Sequence, residues 1–81
     1  MDEFEQHYYE MGSNLHVWMN QRIEELHLKM YKPQLFLLTP WDYRSLEVFY
    51  QYFFHDNIKT IEESHGIKVY KIDYLDESRV Y

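Results

Sequence analysis

The stretch from Trp41 to Phe54 sets the hardest requirement on any fold this chain adopts. Read as a helix, it spreads Trp41, Tyr43, Leu46, Phe49, Tyr50, Tyr52, Phe53 and Phe54 over roughly 220° of the wheel, wider than the stripe of an ordinary surface helix. Such a helix needs cover on two sides, from the rest of the chain or from another subunit. Its start is well marked. Thr39 caps with its hydroxyl, Pro40 suits the first helical position, where its missing N–H costs nothing, and Asp42 favours the positive helix end. Ile58 and Ile61 continue the stripe. The helix is therefore expected either to run on toward His65, with Gly66 as a left-handed cap, or to break at Asp56-Asn57.

An earlier helix is equally visible. Asp2 followed by Glu5 forms a capping box. Phe4, Tyr8, Met11, Leu15, Trp18, Met19, Ile23, Leu26 and Met30 then fall within an arc of roughly 140°. Gly12-Ser13-Asn14 is the weak point, since Gly costs about 1 kcal/mol inside a helix and Ser13 or Asn14 could cap a second one. The period carries through without a phase jump. One helix is expected, kinked at most, ending near Tyr31 because Pro33 disfavours helical geometry at Lys32.

Leu35-Phe36-Leu37-Leu38, between Pro33 and Pro40, reads as a buried strand. Ile67 to Tyr74 is β-rich, Leu75 to Ser78 is a turn candidate, and Arg79-Val80-Tyr81 returns as a short edge strand. The expected fold is one α/β (α+β) domain over residues 1–81, in the order α-β-α-β-β. Two helices would pack a three-stranded mixed sheet as a two-layer sandwich, with a parallel crossover and a closing hairpin.

With 16 aromatic residues in 81, the chain can build a dense small core, and disorder is disfavoured. Absence of Cys removes disulfides, thiol catalysis and thiolate zinc sites, and favours a cytoplasmic setting. No apolar run is long enough for a membrane span, and the acidic start does not read as a signal peptide. The net charge is −6, of which Asp2, Glu3, Glu5 and Glu10 supply −4 in a block without Lys or Arg. Direct nucleic-acid binding needs a basic footprint, which is missing.

Chemistry-bearing constellations are sparse. His16 and His27 share a helix flank but lie roughly 16 Å apart, too far for one metal. His55 and His65 are similarly separated on a continuous helix, and no histidine pair has zinc spacing. Glu24-Glu25, Glu62-Glu63 and Asp76-Glu77 are adjacent and diverge. Ser45 and Ser64, placed on helices, lack a nucleophile-elbow sequence, and two glycines make no phosphate cradle. Neither an enzyme nor a cofactor is expected.

Pro33-Gln34-Leu35-Phe36-Leu37-Leu38-Thr39-Pro40, then Asp42-Tyr43 and Leu46, later Gly66-Ile67-Lys68-Val69 and Val80-Tyr81, resembles a pattern in bacteriophage proteins. There a buried strand runs into a Ser/Thr-Pro-capped helix, then a Gly-hydrophobic-x-Val strand and a closing strand. HK97-type capsid subunits and small phage proteins carry similar segments. The resemblance covers residues 33–81 and implies a phage-type accessory protein, with no catalytic residues to transfer.

The expected function is protein–protein contact, with the chain itself as partner in a homodimer or larger assembly. Trp41, Phe49, Tyr52, Tyr9 and Tyr31 are the candidate aromatic interface, and Asp2, Glu3, Glu5 and Glu10 the candidate acidic one. Two alternatives stay open. One is an acidic inhibitor of a host nucleic-acid-binding protein. The other is a small-molecule binder or enzyme with a Tyr/His-lined pocket between sheet and helices.

Overall fold

The computed structural model describes residues 2–54 and 61–81. Helix α1 (Glu3–Leu28) runs unbroken through Gly12-Ser13-Asn14, and the Asp2 carboxylate caps it by accepting from the Glu5 N–H at 2.8 Å. It ends three residues before Tyr31, and proline is not the stop. Met30 takes a left-handed conformation (φ 59°). The Tyr31 N–H then reaches the Leu26 carbonyl at 2.8 Å and the Met30 N–H reaches His27 at 2.9 Å. This is a Schellman closure in which methionine holds the place that glycine usually takes.

Strand β1 (Leu35–Leu38) leads into helix α2 (Pro40–Phe53) as the sequence requires, with the Asp42 N–H donating to the Thr39 hydroxyl at 3.1 Å. Ser78 reinforces that corner. Its hydroxyl donates to the Asp42 carboxylate and accepts from the Thr39 N–H at 3.1 Å. Helix α2 stops at Phe53, with Phe54 as its cap; Asp56, Asn57 and Ile58 lie outside the described residues.

The sheet has four strands rather than three. Glu63–Ser64 form β2, Ile67–Lys71 form β3 and Arg79–Val80 form β4, in spatial order β2-β3-β1-β4. The parallel β1–β3 pair expected across α2 is present, with Phe36 opposite Val69. Two details differ. Gly66 caps no helix; with His65 (φ 56°) it carries φ 75° in the β2–β3 hairpin turn. Positive φ at both central residues matches strand twist and places Ser64 on a strand, not a helix. The last strand also does not pair with its sequence neighbour. The hairpin occupies one edge of β3 and β1 the other, so β4 runs antiparallel along β1, pairing Phe36 with Val80.

One sheet face is covered. Phe36, Leu38, Ile67 and Val69 are buried, whereas Leu35 and Leu37 on the other face are half-buried and Lys68 and Tyr70 exposed, the alternation of a two-layer α+β domain. The wide apolar arc of α2 is covered only in part within the chain: Leu46, Phe49 and Tyr50 are buried, as are Ser45 and Val48, whereas Trp41, Phe53 and Phe54 are exposed. Neither Ser45 nor Val48 is among the residues counted in the arc: Ser45 falls within it as a small polar residue and Val48 just past its edge. Helix α1 supplies cover at Gly12, where a Cβ would stand 2.6 Å from the Phe49 Cβ and closer still to the Ser45 carbonyl oxygen. Ser45 turns its hydroxyl back to the Trp41 carbonyl at 2.8 Å, leaving only a small surface toward Gly12. Glycine is therefore present for close helix approach, not as a hinge.

Candidate contact surfaces and a histidine cavity

The aromatic residues of α2 form a ladder whose inner rings, Phe49 and Tyr50, are buried and whose outer rings, Phe53 and Phe54, are exposed. In the ladder, Phe49 stacks on Phe53 at 5.0 Å between ring centroids and meets Tyr9 at 5.5 Å. Tyr50 meets Phe54 edge-on at 5.1 Å. Of the candidate interface rings, Phe49 is 5% exposed and Tyr9 packs against the core. Tyr52 is half-buried and donates its hydroxyl to Glu5, a bond that raises the phenol pKa. Trp41 and Tyr31 are exposed, and Trp41 stacks on the half-buried Tyr8 at 6.3 Å. Among the acidic candidates, Asp2 caps α1 and Glu5 bridges to α2, while Glu3 and Glu10 face solvent.

The structure exposes several large apolar side chains that the interface set did not contain. Leu28 (87% exposed) and Met30 (95%) stand at the C-terminal end of α1, and Phe4 (79%) at its start. In the sequence these residues belonged to the apolar pattern of α1 or its flanks. Leu28 falls off the apolar stripe of α1 in the sequence itself, and only the true end of the helix shows that Met30 lies beyond the reach of the core.

A second site brings together residues far apart in sequence. His16 of α1 and His65 of the hairpin turn lie face to face, 4.2 Å between ring centroids and 32° between planes. They line a groove of 370 Å³ with Tyr50, Phe54, Glu63, Ser64 and Gly66. Buried Ser64 bonds the Tyr50 hydroxyl on one side and His65 Nδ1 on the other, the latter at 2.9 Å. The arrangement that uses both hydroxyl protons has Tyr50 donating to Ser64 and Ser64 donating to Nδ1, which leaves the proton of His65 on Nε2. That nitrogen is buried and finds no hydrogen-bond partner among the described residues. Burial lowers the pKa of His16; burial, and then the charge of His16, lowers that of His65. Burial also raises Tyr50, partly offset by its bond to Ser64.

The cluster is built to stay neutral, since a proton on either imidazole would be poorly solvated and close to its neighbour. Its serine is 3% exposed and cannot meet a substrate as a nucleophile without rearrangement. No group of three His, Cys, Asp or Glu side chains able to hold a metal occurs among the described residues. His27 stands at the far end of α1, and His55 lies outside the described residues. No helix among the described residues is long and apolar enough to cross a membrane. Comparison with family models, curated proteins and solved structures finds no match to this chain.

Proposed function

We propose that this chain is a small non-enzymatic contact module that associates with further copies of itself, in the manner of a phage-type accessory protein of the host cytoplasm. The observation that supports this reading is the placement of its apolar residues. Leu46, Phe49 and Tyr50 of α2 are buried internally, yet Trp41, Phe53 and Phe54 of the same arc remain exposed, as do Phe4, Leu28, Met30 and Tyr31. Large exposed apolar side chains in groups mark contact surfaces in water-soluble domains, and Tyr, Trp and Met are enriched in such contacts. Light scattering at micromolar concentration tests the reading. A mass above the 10.2 kDa of one chain is expected, and a stable monomer refutes it.

The histidine groove favours a second reading, in which a small molecule sits against Tyr50, Phe54 and the imidazole pair. Its aromatic walls suit a planar ligand. The test is a screen of small uncharged heteroaromatic compounds followed by NMR on the His16 and His65 ring protons. Saturable shifts of both rings support a ligand site, and no response across the screen argues for a purely structural cluster.

A further inference from the structure

Strand β1 is apolar on both faces and covered on one. It lies inside the sheet, between β3 and β4, and its run Leu35-Phe36-Leu37-Leu38 has the continuous apolar character of a strand buried from both sides. Phe36 and Leu38 are fully buried and share a core with Leu15 and Met19 of α1 and Leu46 and Phe49 of α2. Leu35 and Leu37 stand on the opposite face, half-buried, with both helices behind the sheet.

The sheet register fixes what surrounds the two leucines. Leu35 is flanked by Lys68 of β3, its parallel partner, and by Tyr81, with which it exchanges backbone hydrogen bonds at 2.9 and 3.0 Å. Leu37 is flanked by Tyr70 of β3 and Arg79 of β4. All four flanking residues are exposed, both tyrosines by nearly half. The corners of this face alternate: a cation stands across from a tyrosine in each row and beside a tyrosine along each side. Acidic residues lie at its rim, Glu63 opposite Lys68 on β2, and Glu77 and Asp76 near Arg79. Each cation thus has an acidic neighbour in its own chain, and two copies of the face meet without a surplus of positive charge.

This pattern complements itself. A two-fold axis along β1, in the plane of contact, lays each leucine on its equivalent, Tyr70 on the Arg79 of the other copy and Tyr81 on its Lys68. An axis across the strands sets Tyr70 on Lys68 and Tyr81 on Arg79. Under either axis each tyrosine ring meets a cation, the pairing of a cation–π contact, and the strands stay aligned as in stacked sheets. Only alternating corners meet that condition under both axes. We infer that the chain forms a two-fold dimer through the open face of its sheet, centred on Leu35 and Leu37 and bounded by Lys68, Tyr70, Arg79 and Tyr81. This rests on the self-association reading above and specifies its surface. Such a contact uses the same patch on both copies and closes at two.

Sedimentation equilibrium of four variants tests the surface. Tyr70→Lys sets a cation against a cation of the other copy whichever axis applies, while Tyr70→Phe keeps the ring. Lys68→Gln combined with Arg79→Gln removes both cations. Phe4→Gln, in the helix layer behind the sheet, is the control. All these positions are exposed, and circular dichroism verifies that each variant keeps the wild-type fold. Wild type, Tyr70→Phe and Phe4→Gln should approach twice the 10.2 kDa of one chain and go no further. Tyr70→Lys should stay at the mass of one chain over the same concentrations, and the double glutamine variant should need about tenfold more protein to dimerise. If wild type assembles and both of these variants assemble equally well, the sheet face is overturned but self-association is not. A wild-type mass that climbs past two copies, or a dimer lost in Phe4→Gln, has the same meaning. A wild-type chain that stays monomeric overturns both.

Discussion

Replacing Gly12 with alanine separates two physical effects of opposite sign. Helix propensity alone favours the substitution, because alanine stabilises a helix interior by about 1 kcal/mol over glycine. The packing of α1 on α2 opposes it. The added Cβ would stand 2.6 Å from the Phe49 Cβ and 2.8 Å from the Ser45 carbonyl carbon. Ordinary contact begins near 3.4 Å, so α1 must withdraw by at least 0.8 Å. Neither neighbour is the flexible end of a side chain: one is backbone, and the other is fixed to it. Overpacking of this kind costs about 1–3 kcal/mol, and more where backbone must move. The withdrawal also loosens the contacts of Tyr9 and His16 with Phe49, at 5.5 and 5.3 Å between centroids. The packing cost exceeds the propensity gain, and a net loss of about 1–2 kcal/mol is expected. A domain of this length has about 4–12 kcal/mol in total, so urea unfolding followed by circular dichroism resolves the change easily. Asn14→Ala, on the exposed side of the same helix, is the control and should gain about 0.5 kcal/mol. If Gly12→Ala stabilises the protein as Asn14→Ala does, the close helix approach is wrong.

Met30→Gly relieves the left-handed strain of the Schellman closure and should raise the unfolding midpoint, by about 0.5–1 kcal/mol. Thermal unfolding checks the sign, and a loss of stability contradicts the closure. Gly66→Ala has open space for its methyl group but φ 75°, so it should cost about 1 kcal/mol in urea; a neutral result contradicts the hairpin geometry. His16 and His65 have folded pKa values below 6.5, so the unfolded chain binds more protons just below that pH. Their contribution is full above about pH 6.5 and falls as pH drops toward the folded values. Urea midpoints from pH 7.5 to 5 should therefore decline, and less so in His65→Gln; the same slope in both contradicts the cluster.

Elements whose cause is local were legible in sequence. The Asp2 and Thr39 caps, the apolar period of α1, the run Leu35–Leu38 and the parallel partner of β1 all follow from spacing or from residue type. What escaped depends on contacts between distant residues. Gly12 looked like a defect because helix propensity is local, whereas its reason, Ser45 and Phe49, lies more than thirty positions away. Strand β2 is two residues long, too short for any alternation, and exists because His65-Gly66 turn the chain against β3. The pairing of β4 with β1 depends on which edges the hairpin leaves free. The His16–His65 stack joins residues 49 positions apart, and no spacing rule reaches it. The exposure of Met30 was hidden for a subtler reason. Met30 fits the apolar period of α1, and only the left-handed turn that it occupies removes it from the buried face.

The aromatic load thus has two destinations, a core built around Phe36, Phe49 and Tyr50 and an exposed remainder that includes Trp41, Phe53, Phe54 and Tyr70. Sedimentation equilibrium of the wild-type chain over a hundredfold range of concentration, at low and high salt, tests this division most directly. The expected result is a mass that rises with concentration above the 10.2 kDa of one chain. A mass fixed at that of one chain throughout contradicts it.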